Sequence, residues 1–221
     1  MKRTISTGFI FVLLMAAGSV LSAAESRWIV RGNYVVTWPS TDSYQTESVI
    51  GGMPILNELS LDKGQGFGLD IEYMFSSRIG ILVSAIFTDM EGTFVYGIEP
   101  GEESERVKDN NTVDFYTINA GANYHFTPES TVDFYVGAFA GVFSYDSVKF
   151  VLPELEQEIS INFDDQFSYG VTAGLDIPFG DSPWMATLGV RYLISDLKED
   201  GGPREIAIDP IIGTIGIGLR F

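Results

Sequence analysis

A single histidine, no cysteine, and a limited set of arginines and carboxylates make up the reactive chemistry of this 221-residue chain. Without cysteine, thiol catalysis, disulfides and Cys-ligated metals are excluded. His125 is the one imidazole available for acid–base work. The neighbouring acids Glu102-Glu103 and Asp164-Asp165 have the look of a carboxylate dyad, but they stand in hydrophilic stretches where paired acids are ordinarily solvated surface. Arg31, Arg191 and Arg220, with Asp70, Glu72, Asp176, Asn119 and Asn123, differ because each falls inside a stretch of alternating apolar and small residues. What these groups can do depends on the elements that hold them.

Those elements read as strands. Trp28, Val30, Tyr34, Val36 and Trp38 share one face of residues 27–38, against Arg31, Asn33 and Thr37. The same period of two recurs over 64–75, 79–88, 113–126, 166–177, 184–194 and 211–221, each setting apolar residues against Gly, Ser, Thr, Asn or charge. Residues 132–145 form an eighth strand, whose facing is unsettled because Val136, Ala138, Ala140 and Val142 alternate with Tyr135, Phe139 and Phe143. The intervening connections alternate in length: 39–63, 89–111, 146–165 and 195–205 are long, whereas 76–78, 127–131 and 178–183 are short.

The N-terminus carries Lys2 and Arg3, then an apolar run from Phe9 to Leu21, then Ser22-Ala23-Ala24. That order is a secretory signal peptide, too short for a spanning helix. We expect cleavage after residue 24, with 25–221 as one barrel domain. Removal of Lys2 and Arg3 leaves 11 basic and 30 acidic residues, a net charge near −19. A polyanion is repelled by such a chain, so nucleic acid is not an expected partner.

Four long and three short connections around eight strands give the plan of a transmembrane barrel with periplasmic turns and extracellular loops. The polarity agrees. One strand face is uniformly apolar and aromatic, while the other lacks the bulk to fill a dry core, the reverse of a water-soluble barrel. Aromatics gather near strand ends (Trp28, Trp38, Tyr124, Trp184, Tyr192), as interfacial girdles do. The predicted fold is therefore all-β, an eight-stranded antiparallel up-and-down barrel in a bacterial outer membrane, with long acidic extracellular loops. The acidity belongs to those loops, chiefly Asp89, Glu91, Glu99, Glu102, Glu103, Glu105 and Asp109 in one and Asp146, Glu154, Glu156, Glu158, Asp164 and Asp165 in another.

With that plan in place, the chain resembles the outer-membrane protein W family. The stretch from Trp28 to Pro39 looks like that family's opening strand. Gly68 to Gly80 is similar to its second hairpin, and Asn123-Tyr-His-Phe126 with Phe134-Tyr-Val-Gly-Ala138 to its central one. The ending Asp209-Pro-Ile-Ile, closing in Gly218-Leu-Arg-Phe221, is the most specific part. The chain departs from the pattern at 109–115, where Asn-Asn-Thr-Val-Asp replaces a proline-containing start, and in its long loops. The resemblance implies a narrow, largely hydrophobic channel or pocket for passive passage or binding of small hydrophobic molecules.

Two sets of lumen residues follow. Arg31, Asp70, Glu72, Asn119, Asn123, Asp176, Arg191 and Arg220 form a polar cluster, read first as a plug because buried charges demand partners, and second as a selectivity lining. Leu82, Ile86, Phe139 and Phe143 offer an apolar pocket or simple packing, in a lumen whose upper part carries small residues such as Gly64, Gly66, Ser84, Thr88, Ser168 and Thr187. His125, at a periplasmic turn, is badly placed for lipid-modifying catalysis, and no enzyme activity, metal or cofactor is expected. The expected partners are outer-membrane lipid and lipopolysaccharide, small hydrophobic ligands, and the barrel-assembly machinery through Phe221. The alternative is a structural or adhesive surface barrel acting through its acidic loops.

Overall fold

The computed structural model describes residues 27–40, 43–50, 53–98, 107–128, 130–145, 148–152, 157–161, 165–198 and 205–221. Residues 1–24, expected from the sequence to be a signal peptide, lie outside them. Among the described residues thirteen strands are formed: β1 Trp28–Trp38, β2 Ser43–Ile50, β3 Met53–Met74, β4 Ile79–Ile98, β5 Val107–His125, β6 Asp133–Tyr145, β7 Val148–Leu152, β8 Gln157–Ile161, β9 Gln166–Pro178, β10 Trp184–Ile194, β11 Asp196–Lys198, β12 Glu205–Ala207 and β13 Ile211–Arg220. Eight of them (β1, β3, β4, β5, β6, β9, β10 and β13) pair in antiparallel succession, and β1 closes the ring by pairing with both β13 and β3. Closure pairs the wall's backbone groups and leaves it no edge, which is what a strand structure needs in hydrocarbon.

The strands run strongly tilted. A row of register partners followed from Thr37 passes Ile212, Arg191, Thr172, Gly137, Asn123 and Gly80 to Met74. Met74 N–H then donates to Arg27 C=O, so the row returns to the first strand ten residues lower than it left. Such a stagger is the geometric condition for closing eight strands.

Facing follows the predicted alternation. Trp28, Tyr34, Trp38, Phe67, Val83, Ile118, Tyr169, Leu188 and Ile215 point outward, and Arg31, Glu72, Asp176 and Arg191 point into the lumen. The unsettled β6 resolves with Asp133, Tyr135, Phe139 and Phe143 inside and Phe134, Val136 and Val142 outside. Its aromatics fit because glycines face them. Phe139 is the register partner of Gly121 and of Gly170, and Tyr135 that of Gly174. A Cβ on any of these three glycines meets the aromatic side chain opposite.

One expectation needs correction. The stretches 39–63, 89–111, 146–165 and 195–205 are not simple loops. β2 pairs with the start of β3, whose ladder with β4 and that of β4 with β5 continue well beyond the barrel ring. β7 pairs with β8, and β11 with β12. A ladder held by backbone bonding needs no apolar alternation, and the pattern that marks strands is missing from these stretches. The register shift between Leu61 and Gly64 falls where the alternation begins.

Candidate functional site in the barrel lumen

At the short-turn end, Ile29, Met74 and Met185 form a buried apolar base. Above it the guanidinium of Arg31 crosses the lumen. Its Nε and Nη2 donate to Asp176 Oδ1 and Oδ2 at 3.1 and 2.7 Å, and Nη1 donates to Glu72 Oε2 at 2.7 Å. Glu72 Oε1 accepts from Asn123 Nδ2 at 2.9 Å and stands 3.1 Å from His125 Nε2. His125 Nδ1 lies 2.9 Å from Asp133 Oδ2, to which Arg220 Nη2 also donates at 3.0 Å. The Arg31 guanidinium further sits 5.0 Å from the Tyr135 ring centroid, a cation–π distance. The result is one unbroken chain, Asp176–Arg31–Glu72–His125–Asp133–Arg220.

A second bridge lies nearer the loops. Arg191, on β10, spans the lumen to Asp70 Oδ2 at 2.7 Å and to Ser84 Oγ at 2.5 Å, and Asn33 Nδ2 donates to the same Asp70 oxygen at 3.0 Å. The predicted polar cluster is thus assembled as two crossing straps. Asn119 is buried but stands outside both, its Oδ1 without a protein partner. Asp133 and Tyr135 were missed in sequence because β6 could not be oriented alone. The alternation of glycines on the flanking strands was the available signal.

The loop-side half is of different character. Val35, Ile86 and Ile212 form a buried cluster. Phe143 stacks on Phe115 at 4.9 Å and tilts against Tyr145 at 4.5 Å. Leu82, Ile86, Phe139 and Phe143 are all buried, so in this conformation the predicted pocket residues are packed rather than lining an open cleft. At the start of β13 Asp209 takes a left-handed backbone conformation at φ 38°. Its Oδ1 accepts from Ser195 N–H at 3.1 Å, and Ile208 beside it is buried. That is the structural role of the Asp209-Pro-Ile-Ile segment. Among the described residues no group of three or more His, Asp or Glu is arranged to hold a metal ion.

A family model described as outer membrane protein beta-barrel domain matches residues 8–221. Among solved structures, the outer membrane protein OprG of Pseudomonas aeruginosa is similar at TM-score 0.65 and 16% identity, over 89% of this chain and 96% of that one. AlkL, determined in DMPC bilayers, gives 0.54 and 22% over 91% and 94%. Outer membrane protein W of E. coli gives 0.47 and 16% over 90% and 100%. No curated protein matches the sequence. At these identities the shared feature is the fold.

Proposed function

The chain belongs to the outer membrane protein β-barrel domain family and resides in the outer membrane, and from that premise we propose that its loop-side lumen takes up small apolar molecules. The supporting observation is the division of the lumen. A group of apolar side chains (Val35, Ile86, Ile212, Phe115, Phe143) lies in the half toward the loops, beside small buried polar residues and above two ionic straps that close the half toward the turns. Water and ions meet salt bridges and an apolar base on a straight path, whereas an apolar guest need only displace apolar packing at the open end. Entry requires rearrangement of Phe143 and its neighbours, so the reading is of a binding pocket first and a passage second. On the same reading residues 1–24 are removed on export, and Phe221, bonded to Trp28 through both backbone groups, is the signal read by the assembly machinery.

The test uses the full mature chain in lipid nanodiscs with labelled isoleucine methyls. Addition of n-nonane is expected to move the Ile86 and Ile212 signals and leave Ile29, beneath the straps, in place. Unmoved signals at all three positions overturn the reading. An adhesive role then gains weight, resting on the sheet that β2, β3, β4 and β5 carry past the barrel ring.

A further inference from the structure

Four polar groups in the loop-side lumen have no use in the scheme above. Thr37 Oγ1, Thr117 Oγ1, Asn119 Oδ1 and Ser168 Oγ have no hydrogen-bonding partner in the protein, and none of these residues is more than 2% exposed. Buried polar atoms left unpaired are costly and few in native structures, so four in one region call for a partner. Their placement is ordered. The ten-residue stagger, spread evenly over eight strands, brings Thr37, Thr117 and Ser168 to nearly one height. Asn119 stands one inward step lower on β5 and shares Gly141 with Ser168 as register partner. Gly141 supplies no side chain between them, and a Cβ there would meet Asn119 Oδ1. Phe143, pairing with Thr117 across the ladder, sets an apolar wall beside these groups.

We propose that this belt is the head-group subsite of the uptake site, and that its ligand is a small neutral alcohol rather than a plain hydrocarbon. The inference rests on the apolar-uptake reading and narrows it. Hydroxyls both donate and accept, but Asn119 Oδ1 only accepts, so the head must carry a donor. An O–H meets both needs. An ionised head is disfavoured because none of the four belt residues carries a charge, and Arg191 in the same lumen is already bound by Asp70 and Ser84.

The experiment compares 1-octanol with n-nonane, equal in heavy atoms, on the full mature chain in nanodiscs with labelled Ile and Thr methyls and Asn side-chain amides. Both probes are expected to move Ile86. Only 1-octanol is expected to move Asn119, Thr37 and Thr117. The double variant Thr37→Val/Thr117→Val breaks no bond within the protein and should refold. Loss of a ligand hydrogen bond, from whichever threonine the hydroxyl reaches, is expected to weaken 1-octanol about tenfold while n-nonane is unchanged. If both probes move Ile86 but 1-octanol leaves Asn119 and the threonines in place, or binds the variant as it binds the parent, the belt holds ordered water only and the proposal falls alone. If neither probe moves Ile86, both readings fall together. The comparison on the parent protein stands even should the variant fail to refold.

Discussion

Arg31 Nη1 bonds Glu72 Oε2 at 2.7 Å, although the residue directly across the strand pair from Arg31 is Asp70. The diagonal choice leaves Asp70 for Arg191, which arrives from the far side of the lumen. Each guanidinium therefore also reaches a strand that is not its neighbour, Arg31 at Asp176 and Arg191 at Asp70. Two chords tie together strands far apart in sequence.

Because Arg31 serves Glu72 and Asp176 at once, its loss leaves buried Asp176 without its cation and Glu72 with only Asn123 and His125. Arg31→Ala is expected to destabilise the barrel by about 3–5 kcal/mol. Urea unfolding followed by heat-modifiable gel mobility measures this. A loss within error of the parent would show the strap to be replaceable.

Gly80 tests the strap from the other side. The three atoms nearest a Cβ built at Gly80 are all of the Glu72 side chain, its Oε1, Cδ and Cγ. Gly80→Ala should push that carboxylate off Arg31 and His125 and cost about 1–3 kcal/mol, the usual range for overpacking. In a Glu72→Ala background the same substitution should cost almost nothing further, since the two act on one contact. Additive losses in the double mutant would refute the steric account.

The straps also predict electrical behaviour. The refolded parent should show no discrete conductance steps in a planar bilayer. Arg31→Ser/Arg191→Ser removes both bridging cations and leaves Asp70, Glu72 and Asp176 facing the lumen. Small cation-selective steps are expected from refolded variant protein. Steps of equal size in the parent would mean that the straps do not close the lumen.

The facing of β6 can be checked by one charge. Ala138 is outward between Val136 and Ala140, so Ala138→Arg meets lipid and is expected to cost about 2–4 kcal/mol near the bilayer midplane. Ala138→Leu should be close to neutral in the same refolding titration. Equal tolerance of Arg and Leu would contradict the assignment.

The sequence by itself determined the strand number, the wall and its polarity. Period-two alternation is a local property of residues such as Phe167 to Ile177, and lipid on one side forces it onto every strand. It also grouped Arg31, Glu72 and Asp176 in one polar cluster of the lumen. Only the tertiary structure decided which carboxylate each arginine takes, since a ten-residue stagger is a property of the closed ring and of no single strand. The facing of β6 depended on the glycines of β5 and β9 that receive Phe139 and Tyr135, information held two strands away from where it was needed. The ladders past the barrel were invisible for the opposite reason. Backbone hydrogen bonds keep these strands without the apolar alternation that would mark them. The belt of Thr37, Thr117 and Ser168 is the fullest case, because residues unrelated in sequence reach one height only through the tilt that closure imposes.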